Sequence, residues 1–329
     1  MLYVCGKGLK GDVCADYSIG DVHERRTLQR FLPLEAPLLA TDDFVVQNKT
    51  MTLAGRQLKA FSLRNLSYDS DSLNAILGIL DELSKKKVDP SYHIWGVPFA
   101  MYSRNYDDTQ KTQRISYEIA LNWYHEGPCP RREGFPSWSS IGWNAPIEYS
   151  YQDQPMVPDD IDVRILNNGT PTTLDSYATS GLARKLSGLK EAPNRLKLVE
   201  ARTVPIKTAD IDGYVRAVLK VSNNLDIYQW VSWDEFVPVG TQNLVGVIIY
   251  QEVQSRRLVM LILALRDGDF YERVGFVMFD EDYVVWNLGD GLVRIHGSDD
   301  KVTDLQYLKD TLERSIGFVE EERRDIILA

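Results

Sequence analysis

Four histidines, three cysteines and a set of acidic doublets are the residues of this chain best suited to chemistry, and their spacing limits what they can do. His23, His93, His125 and His296 are scattered. None stands in an HxxxH or HExxH pattern, so metal ligation would need residues brought together by tertiary folding. His125 precedes Glu126 at the end of an expected helix, where a histidine serves as a dipole partner. Cys5, Cys14 and Cys129 include no CxxC, which gives no support to a thiolate zinc site, a redox dithiol or a disulfide framework. A serine nucleophile announced by GxSxG is absent. The doublets Asp42-Asp43, Asp107-Asp108, Asp159-Asp160 and Asp299-Asp300 read as solvated loop residues or helix caps. A glycosidase needs two carboxylates facing each other across a cleft, which spacing along the chain does not supply. Gly6, Gly8 and Gly11 form a GxGxxG after the strand-like Leu2 to Cys5. The following Asp12 to Ser18 lacks the helical period and second strand that a dinucleotide fold requires. No catalytic, cofactor-binding or metal-binding residue is therefore assigned, and no cofactor is expected.

The elements that would position these groups fall into two regimes. Leu73, Ile76, Leu77, Leu80 and Leu83 predict a helix over Ser70 to Lys87. Asp69 or Ser70 would cap it, Asp71 would suit its positive end, and Lys85, Lys86 and Lys87 its negative end. Further helices are predicted over Thr112 to Tyr124, Asp299 to Arg314 and, more briefly, Asp21 to Phe31. Beyond residue 147 the pattern turns to short Val- and Ile-rich runs. Leu196–Ala201, Tyr214–Val221, Asp226–Val231, Leu244–Tyr250, Leu258–Leu265, Val274–Phe279, Tyr283–Trp286 and Leu292–Ile295 read as strands. Spacings of about ten residues leave no room for crossover helices, so pairing is mostly antiparallel. The expected class is α+β: a helical part over 1–126, a connector over 127–146, and a strand-rich part over 147–329 ending in a helix.

That connector is the most unusual stretch. Gly127 to Trp143 holds Pro128, Pro130 and Pro136 together with Phe135, Trp138 and Trp143. Proline restricts the backbone and large aromatic rings stabilise most when buried, so a rigid packing segment is the preferred reading. A stacking platform for sugar or peptide is the alternative. Four tryptophans lie between Trp95 and Trp143, which suits a core joining the two parts.

The chain has 329 residues, 37 Lys plus Arg against 47 Asp plus Glu, and a formal charge of −10. A net negative chain without a basic stripe repels phosphate backbones, so nucleic-acid binding is not expected. The longest apolar run, Leu258 to Leu265, is far too short for a membrane helix, and the N-terminus lacks a signal-peptide pattern. A cytoplasmic protein that does not enter membranes and is not built on a disulfide scaffold is the expectation. Three glycosylation sequons, at Asn48, Asn65 and Asn168, are treated as chance matches on that basis.

Several segments taken in order resemble fungal heterokaryon-incompatibility (HET) proteins. Phe135-Pro136-Ser137-Trp138-Ser139 followed by Gly142-Trp143 and Pro146 to Tyr149 is similar to their "fPSWSWaGW…gpv.Y" stretch. Phe61 to Ala75 resembles their "YS.R.Lty.sDsLnAf.Gi" helix entry, which covers Arg64, Asp71 and Asn74. His93 to Pro98, with Trp95, Gly96 and Pro98, matches "h.WGiP"; Leu121 to Arg132 matches "aLlWy…RR". Tyr271 to Gly275, with Arg273 and Gly275, is similar to "yeRvG". Ser140-Ile141 stands where the family has Trp-Ala. The family's opening "LSYvWG" and "W.DalCInQ" motifs have no counterpart, so the resemblance is to the part downstream of the HET core, as in a truncated form. It implies a role in non-self recognition and programmed cell death, exerted through an unknown protein partner and without catalysis of its own. A hydrolase, or a carbohydrate- or peptide-binding module using the aromatic platform, is the other reading.

Overall fold

The computed structural model describes residues 3–5, 8–10, 49–64, 66, 68–86, 90–100, 121–149, 161–180, 193–211, 213–222, 225–252, 257–266, 269–279, 285–287, 292–294 and 321–329. The chain divides into two compact units, Met1–Lys49 and Thr50–Ala329. In the first, β1 (Tyr3–Cys5) pairs antiparallel with β2 (Gly8–Lys10), so Gly8 of the glycine triplet belongs to a strand opposite Cys5. Gly6, Gly11 and the predicted helix Asp21 to Phe31 lie outside the described residues.

Helix α1 (Lys49–Ser62) was not predicted from the sequence, yet Ala54, Leu58 and Phe61 form one buried stripe on it. Next, a single 3₁₀ turn over Asp69–Asp71 leads into α2 (Ser72–Ser84), which is shorter than the predicted Ser70 to Lys87. Leu73, Ile76, Leu80 and Leu83 face the core as their spacing required. The expected cap is not made. No side chain caps α2, because Asp69 Oδ1 instead accepts from Arg132 Nε at 3.3 Å and Ser72 Oγ donates to the Ile141 carbonyl at 2.8 Å. Lys85 follows the last turn and bridges Asp81 at 2.5 Å and Glu82 at 3.2 Å.

A hairpin of β3 (Ser91–Ile94) and β4 (Val97–Ala100) comes next, turning at Trp95 and Gly96. The predicted helix over Thr112 to Tyr124 is corrected at its C-terminal end. Trp123–Tyr124 form β5, paired with β6 (Glu148–Tyr149), and the residues before Leu121 lie outside the described set. The buried indole of Trp123 and the half-buried Tyr124 alternate across a strand, a two-residue signal too short to register as a period.

The remaining strands are β7 (Asp162–Asn167), β8 (Thr170–Thr173), β9 (Arg195–Ile211), β10 (Tyr214–Ser222), β11 (Leu225–Gln229), β12 (Ser232–Trp233), β13 (Leu244–Glu252), β14 (Arg257–Leu265), β15 (Tyr271–Phe279), β16 (Val285–Asn287), β17 (Leu292–Arg294) and β18 (Glu322–Leu328). Helix α3 (Leu174–Thr179), capped by Thr173, follows β8. All twelve strands join one sheet, in the path β12-β15-β14-β13-β9-β10-β11-β16-β17, with β18 against β9 and β15, and β7 between β8 and β9. Every pairing among them is antiparallel except the single contact of β15 with β18. The described chain is thus strand-rich and mostly antiparallel, with few helices. The predicted helix Asp299 to Arg314 lies outside the described residues.

The seventeen-residue β9 organises the core. Its first half pairs with β7 and β18, its second with β13 and β10. Between them Glu200 adopts φ 55°, and its N–H donates to Asp325 Oδ1 at 3.2 Å. This irregularity shifts the inward phase. Leu196, Leu198 and Ala201 feed one hydrophobic cluster, while Val204 and Ile206 feed another. In β14, Val259, Leu261 and Leu263 face the first cluster and Met260, Ile262 and Ala264 the second. A strand covered on both faces must be apolar throughout, which explains the unbroken run from Leu258 to Leu265.

Candidate functional site

The Pro- and Trp-rich connector closes on itself. Arg131 bridges Trp143, the Arg132 N–H donates to the Gly142 carbonyl at 2.7 Å, and the Asn144 N–H donates to the Pro130 carbonyl at 3.0 Å. Inside this loop, Ser140–Gly142 form a 3₁₀ turn. A Cβ at Gly142 would come within 2.8 Å of Phe135 Cβ, so only glycine lets the loop fold over that ring. Arg132 is buried and pins the loop from within. Its Nη1 donates to the carbonyls of Ile141 (2.8 Å) and Trp143, and its Nη2 donates to Asn144 Oδ1 (3.2 Å).

Trp95, Trp123, Trp138 and Trp143 are all buried, and each indole N–H finds a main-chain carbonyl. Trp95 donates to Pro193 (3.0 Å), Trp123 to Trp138 (3.2 Å), Trp138 to Asn194 (3.3 Å) and Trp143 to Ser137 (3.0 Å). A buried indole thus costs no unmet donor, and its ring area counts fully toward stability. Burial leaves Trp138 and Trp143 no ring face on which a ligand could stack.

Trp95 holds φ 50°, an uncommon state for a bulky residue, and Gly96 follows at φ 79°. The strain is held by its surroundings: Trp95 meets Phe135 edge-on at 5.4 Å, and its carbonyl accepts from Ser139 Oγ at 2.7 Å. A Cβ at Gly96 would fall 2.5 Å from Ile141 Cδ1. Across the turn, His93 Nδ1 accepts the Gly96 N–H at 3.4 Å, which requires a neutral ring. Burial lowers the His93 pKa to about 4, against a weaker opposing pull from Asp81. The unfolded chain therefore binds the extra proton first. Stability is complete above pH 6.5 and is lost as pH falls through 6.5 toward 4. Urea unfolding at pH 7 and pH 4 is expected to show a loss of about 2–3 kcal/mol from this residue, and His93→Gln removes that share of the loss.

Arg273, on β15, ties the connector to the sheet. It is fully enclosed, lies 3.4 Å above the Trp123 ring, and donates through Nε to Asp234 Oδ2 at 2.7 Å. Its other nitrogens donate to the carbonyls of Leu121 (3.0 Å) and Trp123. The Arg273 N–H donates to Ser137 Oγ at 2.9 Å, and Ser137 Oγ in turn donates to the Ala329 carbonyl. Burial pulls the guanidinium pKa down while Asp234 pulls it up; an arginine remains charged under both. Tyr124 stacks on Phe276 beside it, 5.5 Å apart and 12° from parallel.

Asp234 also approaches His125 Nε2 at 3.3 Å, and Cys129 Sγ lies 3.5 Å from the same nitrogen. A thiol, an imidazole and a carboxylate in one place invite comparison with a nucleophilic triad. The geometry is wrong for one. In a triad the nucleophile and the carboxylate occupy opposite ring nitrogens. Here both crowd Nε2, while Nδ1 faces the Gly127 carbonyl at 2.8 Å. Burial, followed by Asp234, raises the Cys129 pKa to about 11, which suppresses the thiolate. The cluster can hold hydrogen bonds but has no activated nucleophile. Among the described residues no group of His, Cys, Asp and Glu is arranged to hold a metal ion. Nor is any described helix long and apolar enough to cross a membrane.

Of the residues singled out from sequence, Trp95, Gly96, Pro136, Ser137, Trp138, Gly142, Trp143 and Arg273 converge on this buried node. Pro98 is buried in β4 opposite His93, and Gly275 packs against Trp233 and Val231. Arg64, Asp71 and Asn74 are exposed near α1 and on or before α2, apart from the node's interior. Arg132 was marked only as the end of the segment similar to "aLlWy…RR", and the His125–Asp234 pairing was not singled out, because nothing in its spacing marks it. No family model, curated protein or solved structure matches the chain.

Proposed function

We propose that this chain is a non-enzymatic scaffold of the heterokaryon-incompatibility type, acting in fungal non-self recognition and programmed cell death. It works in the cytoplasm through a protein partner, without nucleic acid, membrane insertion or cofactor. In this reading a helical front part, carrying α1 and α2, is welded to the antiparallel sheet by the connector. The carrying observation is the convergence of residues that the resemblance draws from distant segments. Trp95 and Gly96, the Pro136 to Trp143 stretch, and Arg273 meet in one hydrogen-bonded, water-excluding node. Such convergence is what a structural signature requires. The crowded His125 nitrogen and the suppressed Cys129 thiol favour a scaffold over a hydrolase.

The test is genetic. In a filamentous fungus carrying the gene, deletion is expected to change the fraction of dye-permeable fusion cells formed with an incompatible tester strain. Complementation with Cys129→Ala restores the original fraction, because no nucleophile is lost. An unchanged fraction on deletion contradicts the recognition role. Failure of a stably folded Cys129→Ala protein to complement contradicts the non-enzymatic one.

A further inference from the structure

We propose that His125 is a proton-operated switch that exchanges its Nε2 partner between the Cys129 thiol and the Asp234 carboxylate. The ring is enclosed, with an oxygen acceptor near each nitrogen: the Gly127 carbonyl 2.8 Å from Nδ1 and Asp234 Oδ1 3.3 Å from Nε2. A neutral imidazole has one N–H and one lone pair, so it cannot donate to both. With the proton on Nδ1, that nitrogen donates to Gly127 and the Nε2 lone pair accepts from the Cys129 thiol at 3.5 Å. Asp234 Oδ1 is then left without a hydrogen bond, although it is fully buried. Its other oxygen is held by Arg273 at 2.7 Å.

A solvent proton taken up on Nε2 reverses the arrangement. Nε2–H becomes a donor to Asp234 Oδ1, the buried carboxylate oxygen that lacks one, and the thiol loses its acceptor while keeping its own hydrogen. Cys129 is half-buried, so its released S–H is the end of the cluster nearest solvent. The charged or titratable groups around the ring are Asp234 from the segment after β12, Arg273 from β15, Glu126 beside it in sequence, and the Cys129 thiol of the connector. Trp123 and Trp143 complete the wall and do not titrate. Burial and Arg273 oppose the imidazolium, and Asp234 supports it. The exchange thus takes place on the acid side of the ordinary histidine range, and it converts acidification into availability of a single thiol.

Nitrogen-detected NMR of the His125 side chain across pH 4–8, together with the S–H stretching band of Cys129 isolated by subtracting the Cys129→Ala spectrum, tests this. The expected results are a proton on Nδ1 alone at pH 7.5, a midpoint below 6.5, and an S–H band that moves to the position of a free thiol with the same midpoint. Losing the S–H bond in Cys129→Ala weakens the neutral form and raises the midpoint by about half to one pH unit. Cys129→Ser supplies a stronger donor and lowers it. A proton on Nε2 at pH 7.5, an S–H band that ignores the titration, or an unmoved midpoint in both variants overturns the proposal.

Discussion

Trp138→Ala is expected to lower the unfolding free energy by about 3–5 kcal/mol, the usual cost of emptying a large aromatic site. Trp138 has no exposed surface, and its neighbours cannot collapse into the space it would leave. The connector is fixed on one side by Arg132 and on the other by the indole bonds of Trp123 and Trp143 to the carbonyls of Trp138 and Ser137. A rigid wall keeps the cavity open, which places the cost toward the upper end. Trp138→Phe is milder, since it keeps much of the ring and loses chiefly the bond to Asn194. Chemical denaturation of the purified variants measures both. An unchanged transition midpoint in Trp138→Ala contradicts the packing argument.

Arg273→Met alone is expected to cost about 3–5 kcal/mol. The loss has two parts. The carbonyls of Leu121 and Trp123 lose their donors, and Asp234 keeps a buried charge facing no guanidinium. The second part dominates, because stranding one member of a buried pair costs more than the pair itself contributes. It follows that Arg273→Met combined with Asp234→Leu is less destabilised than Arg273→Met alone, although the double variant also removes the His125 partner. Arg273→Lys does not rescue, since a point charge cannot serve Asp234 and two carbonyls at once. Denaturation curves of the single and double variants decide this. Strict additivity of the two losses contradicts the buried-pair account.

The sequence revealed elements where burial is periodic and hid them where it is not. Leu73 to Leu83 repeat every three or four residues, and α2 stands there, trimmed at both ends by tertiary contacts of Asp69 and Ser72. The runs from Leu244 and Leu258 were legible as strands because both of their faces are covered. Strand β9 was seen only as Leu196 to Ala201, because the irregular backbone at Glu200 breaks the alternation that would have linked it to Val204 and Ile206. Trp123 and Tyr124 were assigned to a helix because apolar residues upstream suggested one. Their strand is defined by pairing with Glu148 and Tyr149, information that is not local. The node was half legible. Its aromatic and proline density marked Gly127 to Trp143 as a packing segment, but Asp234 and His125 are ordinary residues in ordinary spacing. Only the fold brings these two together and to Arg273.

Indole hydrogen exchange, followed by NMR on the folded protein, tests most directly that the tryptophan-rich connector is a buried weld and not a binding platform. The Nε1–H groups of Trp138 and Trp143, each bonded to a main-chain carbonyl, are expected to exchange only through global unfolding, while the partly exposed Trp230 exchanges freely. Exchange at Trp138 and Trp143 as fast as at Trp230 would contradict it.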